Sequence, residues 1–303
     1  MNIVVCVKLV PDTHIPLEID PQTGMLNNDD LVYVINPCDR TAVEEAVRLK
    51  EEGWATQITL VCLGSPAAVR GLRSCLALGA DRAILLDDAA FAGSDSYAAA
   101  VVLAKAIASL SYDLILCGTR ATDTNTGLVG PVVAEILRIP LVTEVAGIAA
   151  TVDSKVTVQR KLEKGDREVV EVRLPALLTV DIEVEVARYA SLPALMAAQE
   201  KQIEQLDIKA LGLSSAELGA SGARAQILKF TPPKPRRKKL FTPEASLSAT
   251  AKISMLMAGG ITEKKTEFLE GEPKKIAATL VQFLTQQKLL KTDSTETEEK
   301  RES

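Results

Sequence analysis

The chain has 303 residues, 47% of them hydrophobic and 3% aromatic, with a formal net charge of −5. That length can bury one large core or two small ones. The acidic balance and the scarcity of rings exclude the basic, base-stacking surfaces through which proteins hold nucleic acid. Five cysteines (6, 38, 62, 75 and 117) show no metal-ligand spacing and read as reduced thiols of a cytoplasmic protein. The chain opens on a strand-like run without a basic segment, so no signal peptide is expected. No apolar run reaches the ~18 residues of a membrane span.

Strand and helix patterns alternate through residues 1–145. Ile3–Val10 reads as the first strand. It ends at Val10-Pro11-Asp12-Thr13 and leads into Asp20-Pro21-Gln22-Thr23-Gly24, an excursion expected to reverse like a hairpin. Asn36-Pro37-Cys38-Asp39 reads as a helix start, with Asn36 suited to the N-cap, Pro37 to the first helical position and Asp39 to the first turn. Plain capping and ligand contact are equally open there. Helix Ala42–Lys50 follows, then strand Ile58–Leu63 and the turn Cys62-Leu63-Gly64-Ser65-Pro66, with Gly64 at a close-approach position. Next come helix Ala67–Leu78, strand Ala83–Leu86 and the turn Ala90–Tyr97, capped by Ser94 or Asp95. Helix Asp95–Leu110 and strand Leu114–Cys117 complete the series. Such alternation predicts an α/β fold: a doubly wound, mostly parallel, Rossmann-like sheet with helices on both faces. The strand ends would then converge on one edge.

The most informative stretch is the loop after that last strand. Gly118, Thr119, Arg120, Ala121, Thr122, Asp123, Thr124, Asn125, Thr126 and Gly127 precede a helical stripe of Val129, Val132, Val133, Ile136 and Leu137. Parallel sheets bind ligands at such strand-to-helix turns, where free N–H groups at the helix start favour phosphate. The loop therefore reads as a nucleotide-phosphate cradle, with a Thr/Asn-rich helix cap as the plainer account.

Beyond residue 150 the pattern changes. Val156–Arg160 and Glu168–Val172 alternate around Lys164-Gly165-Asp166, which predicts a hairpin within 153–173, and Ala176–Val180 is a further strand. Arg188-Tyr189 and Ser191-Leu192-Pro193 lead into a helical-looking segment, 194–206. Leu192 there either meets a partner or staples the helix to its own domain. Residues 212–223 and the run Pro232-Pro233-Lys234-Pro235-Arg236-Arg237-Lys238-Lys239 read as an extended linker, the basic run being solvated or a phosphate or membrane contact. Lys274–Lys288 reads as a docking helix, and the tail from Thr292 as disordered. The expected organisation is an α/β domain at 1–190, a partner-recognition loop and helix at 191–230, an extended arm at 231–290 and a tail at 291–303.

Side-chain chemistry is sparse. Walker, nucleophile-elbow, Gly-x-Gly-x-x-Gly and Cys-x-x-Cys patterns do not occur. The single histidine, His14, reads as a solvated loop residue or, beside Asp12, a proton relay. No catalytic side chain and no metal site are expected; a bound cofactor would supply the reactivity.

These segments, with Val7-Lys8, Ala42-Val43-Glu44-Glu45-Ala46, Leu76-Ala77-Leu78-Gly79-Ala80-Asp81 and Leu174-Pro175-Ala176, resemble the beta subunit of the electron-transfer flavoprotein family. The resemblance implies an adenine-nucleotide-binding fold, an alpha-subunit partner carrying FAD, and a flavin-dependent dehydrogenase of the acyl-CoA type as electron source. It implies AMP in this chain or, in electron-bifurcating members, a second FAD. Carried over, the nucleotide contacts are Cys6, Asn36, Pro37, Cys38, Asp39, Leu63, Gly64 and the loop Gly118–Gly127; Leu192, with Pro193, Leu195 and Met196, matches the dehydrogenase-binding anchor. The bifurcating pattern is incomplete. Ala99, Ala100, Asn125 and Leu128 stand where Thr, Ser, a carboxylate and an amide are usual. A stand-alone nucleotide sensor of the stress-protein type is the alternative, disfavoured by the hairpin and the 188–206 segment.

Overall fold

The computed structural model describes residues 1–15, 18–20, 31–152, 154–215, 218–228, 247–257 and 271–286. The chain divides into two units, Met1–Pro233 and Lys234–Ser303.

In the first unit the elements are β1 (Asn2–Val7), β2 (Leu9–Pro11), β3 (Tyr33–Ile35), α1 (Pro37–Glu51), β4 (Gln57–Leu63), α2 (Ala68–Leu78) and β5 (Arg82–Leu86). They continue with α3 (Ser96–Ala108), β6 (Leu114–Gly118), α4 (Val129–Leu137), β7 (Leu141–Val152), β8 (Lys155–Lys161), β9 (Arg167–Arg173) and β10 (Ala176–Val180). Last come α5 (Leu192–Glu200), β11 (Ile203–Leu206) and the single turn α6 (Gly219–Gly222). Nine strands form one sheet in the order β11-β5-β4-β1-β6-β10-β7-β8-β9, parallel from β11 to β7 and antiparallel only at the β7–β8–β9 end.

Period-two alternation splits the core in two. Val5, Val7 and Leu60 pack under α1 and α2 with Ala46, Leu72 and Leu76. Their neighbours Val4, Cys6 and Val61 face Val102, Ile107 and Val133 of α3 and α4. The expected mostly parallel α/β sheet with helices on both faces is therefore what the chain forms. All five cysteines are free, and burial pushes the Cys62 and Cys75 thiols up to about 12.

Three expectations need correction. The first strand breaks at Lys8, because Leu9–Pro11 leaves the sheet to pair antiparallel with Tyr33–Ile35. The chain thus does reverse after the first strand, although Pro21–Gly24 lie outside the described residues. The long strand β7 was not expected, since register shifts at Leu178/Val180, Val145/Gly147 and Ile148/Ala150 break the alternation that would reveal it. The 194–206 helix stops at Glu200, and Ile203–Leu206 becomes an edge strand on β5. There Arg73 donates to the carbonyls of Ala198 and Gln199, closing the helix end.

The hairpin has the expected strands and turn, with Lys164 and Gly165 at φ 66° and 92°. In the second unit, α8 (Pro273–Gln286) forms where a helix was expected and buries no residue, and α7 (Ala249–Met257) was not foreseen. The 232–239 run, the end of the expected helix at Lys288 and the tail from Thr292 lie outside the described residues.

Candidate functional site

The order of the strands creates a crevice. From β1 the chain winds through β4 and β5 on one side, then returns through α3 to β6 on the other, so the connections diverge at the carboxyl ends of β1 and β6. The ladder between these strands runs from Ile3↔Leu114 to Val5↔Leu116. Past it the strands part, and the N–H groups of Lys8 and Gly118 donate to the two oxygens of Asp39 at 2.8 and 3.1 Å. Asn36 Nδ2 donates to the same carboxylate at 2.9 Å and to Arg120 O at 3.0 Å, while its Oδ1 accepts from Thr122 N at 3.2 Å. Asn36 therefore does not cap α1; it ties the helix start to the loop.

Both side chains are buried, Asn36 at 0% exposure and Asp39 at 7%. Burial pushes the Asp39 carboxyl up to about 7, against the pull of its hydrogen bonds from Asn36, Lys8 and Gly118. Gly118 is required here, since a Cβ would lie 2.1 Å from Asp39 Oδ1 and 2.8 Å from Cys38 Cβ.

The loop projects from this base. Thr119 N donates to Val180 O at 2.9 Å, Asn125 N to Ala121 O at 2.8 Å and Thr124 N to Asp123 Oδ1 at 2.7 Å. Lys8 Nζ lies 2.5 Å from Asp123 Oδ2, and Thr126 Oγ1 is 2.9 Å from Ser96 Oγ at the start of α3. Asn125 and Gly127 take φ 51° and 64°, turning the chain into α4. Thr122–Thr126 are exposed.

The expected polar caps are mostly missing. Of the caps expected at these strand ends, only Asp95 forms one, accepting from Ala98 N at 2.9 Å, while Ser94 Oγ donates back to Phe91 O at 2.7 Å. The starts of α1, α2 and α4, at Asn36, Ala67 and Leu128, have no side-chain cap. At α2 the turn takes the first donors, Ala68 N donating to Ser65 O at 2.9 Å and Val69 N to Pro66 O at 3.1 Å. The uncapped starts of α1 and α4, beside exposed hydroxyls, leave donors and positive dipole ends for an anion.

The remaining expected residues share this edge. Cys6 is buried on β1 next to Cys117 of β6, and Pro37 and Cys38 are half-buried in the first turn of α1. Burial raises the Cys38 thiol pKa, with the nearby Asp39 charge adding to it. Leu63 ends β4, which flanks β1, and Gly64 follows it, its N–H donating to Leu86 O at 3.1 Å. A Cβ at Gly64 would meet only Ala68 and Cys62 at 3.7 and 3.8 Å, so the fold itself does not demand glycine there.

Sequence reasoning missed the far side of the loop. A recess of about 450 Å³ lies between Thr119–Gly127 and four residues of the adjoining strands, Thr143, Glu144, Arg160 and Thr179. Their signal was hidden by the broken alternation of β7.

The segment before α5 is held by Arg188. Its Nε and N–H donate to Glu44 at 2.6 and 3.1 Å, and its two Nη atoms to Glu51 at 2.6 and 2.9 Å. Ser191 caps α5, and Ala198 is buried in the core. Leu192, 70% exposed, does not act as a staple. Tyr189, Pro193, Leu195 and Met196 are exposed beside it. His14 is exposed and pairs with Asp12 at 2.9 Å. Among the described residues, no Cys/His/Asp/Glu cluster could hold a metal, and no helix is long and apolar enough to cross a membrane.

The sequence profile of the family described as "Electron transfer flavoprotein domain" matches residues 23–211. The chain belongs to the electron transfer flavoprotein family, among its beta subunits. The electron transfer flavoprotein subunit beta of Thermoanaerobacterium thermosaccharolyticum is 41% identical over 244 residues, covering 80% of this chain and 92% of that one. Subunit CarD of the caffeyl-CoA reductase-Etf complex of Acetobacterium woodii is 40% identical over 235 residues (77% and 88%). Protein FixA of Azotobacter vinelandii is 36% identical over 246 residues (79% and 86%).

Proposed function

We propose that this electron transfer flavoprotein beta subunit holds an adenine nucleotide at the carboxyl edge of β1, β4 and β6 and pairs with an FAD-bearing alpha subunit. The observation that carries the reading is the crevice where α1 and α4 both begin without a side-chain cap, beside the exposed hydroxyls of Thr122, Thr124 and Thr126. These groups fit a nucleotide phosphate: the donors are backbone N–H and hydroxyl, and the nearby Asp39 carboxylate is consumed internally and does not face an anion. Cys6, Leu63 and Gly64 are the small and apolar neighbours an adenine would meet. The occupant is AMP or the AMP portion of a second FAD.

A flavin, when bound to the complex, supplies the electron chemistry. This chain's own residues bind, orient and dock. The exposed apolar group Tyr189, Leu192 and Met196, steadied by Arg188 on Glu44 and Glu51, is the surface offered to a flavin-dependent dehydrogenase. Two relatives are named for acyl-CoA-type reductases: caffeyl-CoA reductase in Acetobacterium woodii and acryloyl-CoA reductase in Anaerotignum propionicum, the latter 38% identical over 242 residues. They support an acyl-CoA enzyme as the partner. Flavin and AMP released per heterodimer decide the occupant. Two flavins mean a bifurcating complex, and one flavin with one AMP means plain transfer. No adenine compound beyond the alpha-subunit FAD contradicts the reading.

A further inference from the structure

The recess on the far side of the loop carries features that the nucleotide reading leaves unused. Along the β10–β7 ladder, Leu178 pairs with Val142 and Val180 with Val145, so Thr143 and Glu144 both stand opposite Thr179. An extra residue in one strand re-aims its side chains, and such bulges gather beside functional sites. Glu144 also takes φ 55°, a left-handed backbone that a residue with a Cβ holds at some energetic expense. Bulge and strain turn Thr143 and Glu144 into the lining of the recess.

Two polar atoms of that lining are buried with no hydrogen-bond partner, Thr119 Oγ1 and Arg160 Nε. Thr119 is only 8% exposed. A buried group left unpaired destabilises the fold unless something else completes it. The rest of the Arg160 guanidinium is engaged: Nη2 donates to Thr143 Oγ1 at 3.2 Å, and Nη1 stands 3.7 Å from Glu168. The Glu144 carboxylate is answered by Arg120 at 3.2 Å, and its N–H donates to Thr179 Oγ1 at 3.1 Å. Each guanidinium of the lining thus already faces a carboxylate, Arg120 on Glu144 and Arg160 on Glu168, and what is left over is one guanidinium N–H and one hydroxyl.

We propose that this recess is an oxoanion site that takes a phosphate-type group against Arg160 Nε and the Thr119 hydroxyl. Guanidinium N–H and hydroxyl are the donors that tetrahedral oxoanions favour. The phosphate comes either free from solution or from a nucleotide held on the other side of the loop.

The test is calorimetric titration of the full-length chain with inorganic phosphate at constant ionic strength. Saturable binding to one site is expected. Arg160→Gln should weaken it about tenfold or more, and Thr119→Val, which keeps the side-chain shape, about threefold or more. Repeating the titration with AMP at saturation separates the sources. Unchanged phosphate affinity means a free oxoanion beside the nucleotide; competition that Arg160→Gln abolishes means the nucleotide's own phosphate. Unsaturable heats, or wild-type affinity in Thr119→Val, overturn the proposal, so it does not depend on Arg160→Gln folding. AMP binding without phosphate binding would sink this site and leave the nucleotide reading intact; phosphate binding without AMP would do the reverse.

Discussion

On the α1 side of the 118–127 loop, the Asn36 amide is engaged at both ends and the Asp39 carboxylate accepts from Lys8, Gly118 and Asn36. On the β7 side of the same loop, Thr119 Oγ1 and Arg160 Nε are buried with nothing to bond. The difference separates a frame from a site. Where polar groups are used up inside the chain they fix geometry, and their loss costs stability. Where they are left over, their loss costs the fold little and a ligand much.

That contrast can be broken in several ways. Asp39→Ala leaves three buried donors unmet and is expected to lower the unfolding free energy by roughly 3 kcal/mol or more, read by denaturant titration. Gly118→Ala drives a methyl into the same carboxylate and should cost about 2–3 kcal/mol, with no polar group removed. If both variants are as stable as the wild type, the frame does not exist. The pH dependence is subtler. With the Asp39 pKa at about 7 in the folded chain and 3.8 when unfolded, the folded state keeps a proton between those values that the unfolded state has released. Stability should therefore fall as pH rises from about 4 to about 7, by at most ~1.4 kcal/mol per pH unit from this group, and level off above. Asp39→Asn should remove that component of the slope. On the other side, Thr119→Val should leave stability within about 0.5 kcal/mol of wild type or raise it slightly, because the hydroxyl it removes bonds to nothing. Leu192→Ala, at an exposed position, should stay within about 0.5 kcal/mol in stability while weakening capture of the dehydrogenase.

The same two sides differ in how well the sequence announces them. Local signals were sufficient for the parallel strands and for the loop after Cys117, because buried strands are continuous apolar runs and turns carry Gly and Thr. They also drew Asn36, Asp39 and the loop to one edge. They did not reveal what Asn36 and Asp39 do there: a cap and a tertiary tie use the same residue types, and only the meeting of Lys8, Gly118 and Arg120 tells them apart. The far side was illegible for a different reason. Thr143 and Glu144 sit in a bulge, and a bulge erases the period-two pattern by which a strand is recognised. Ile203–Leu206 was lost to a third cause, since a four-residue edge strand is decided by its neighbour β5 rather than by its own pattern.

A crystal structure of the chain with AMP bound tests the account at its centre. The phosphate is expected at the uncapped start of α4 beside Thr126 and Gly127, and the adenine between Cys6 and Leu63. Nucleotide density on an unrelated surface, with this edge closed by its own side chains, would contradict it.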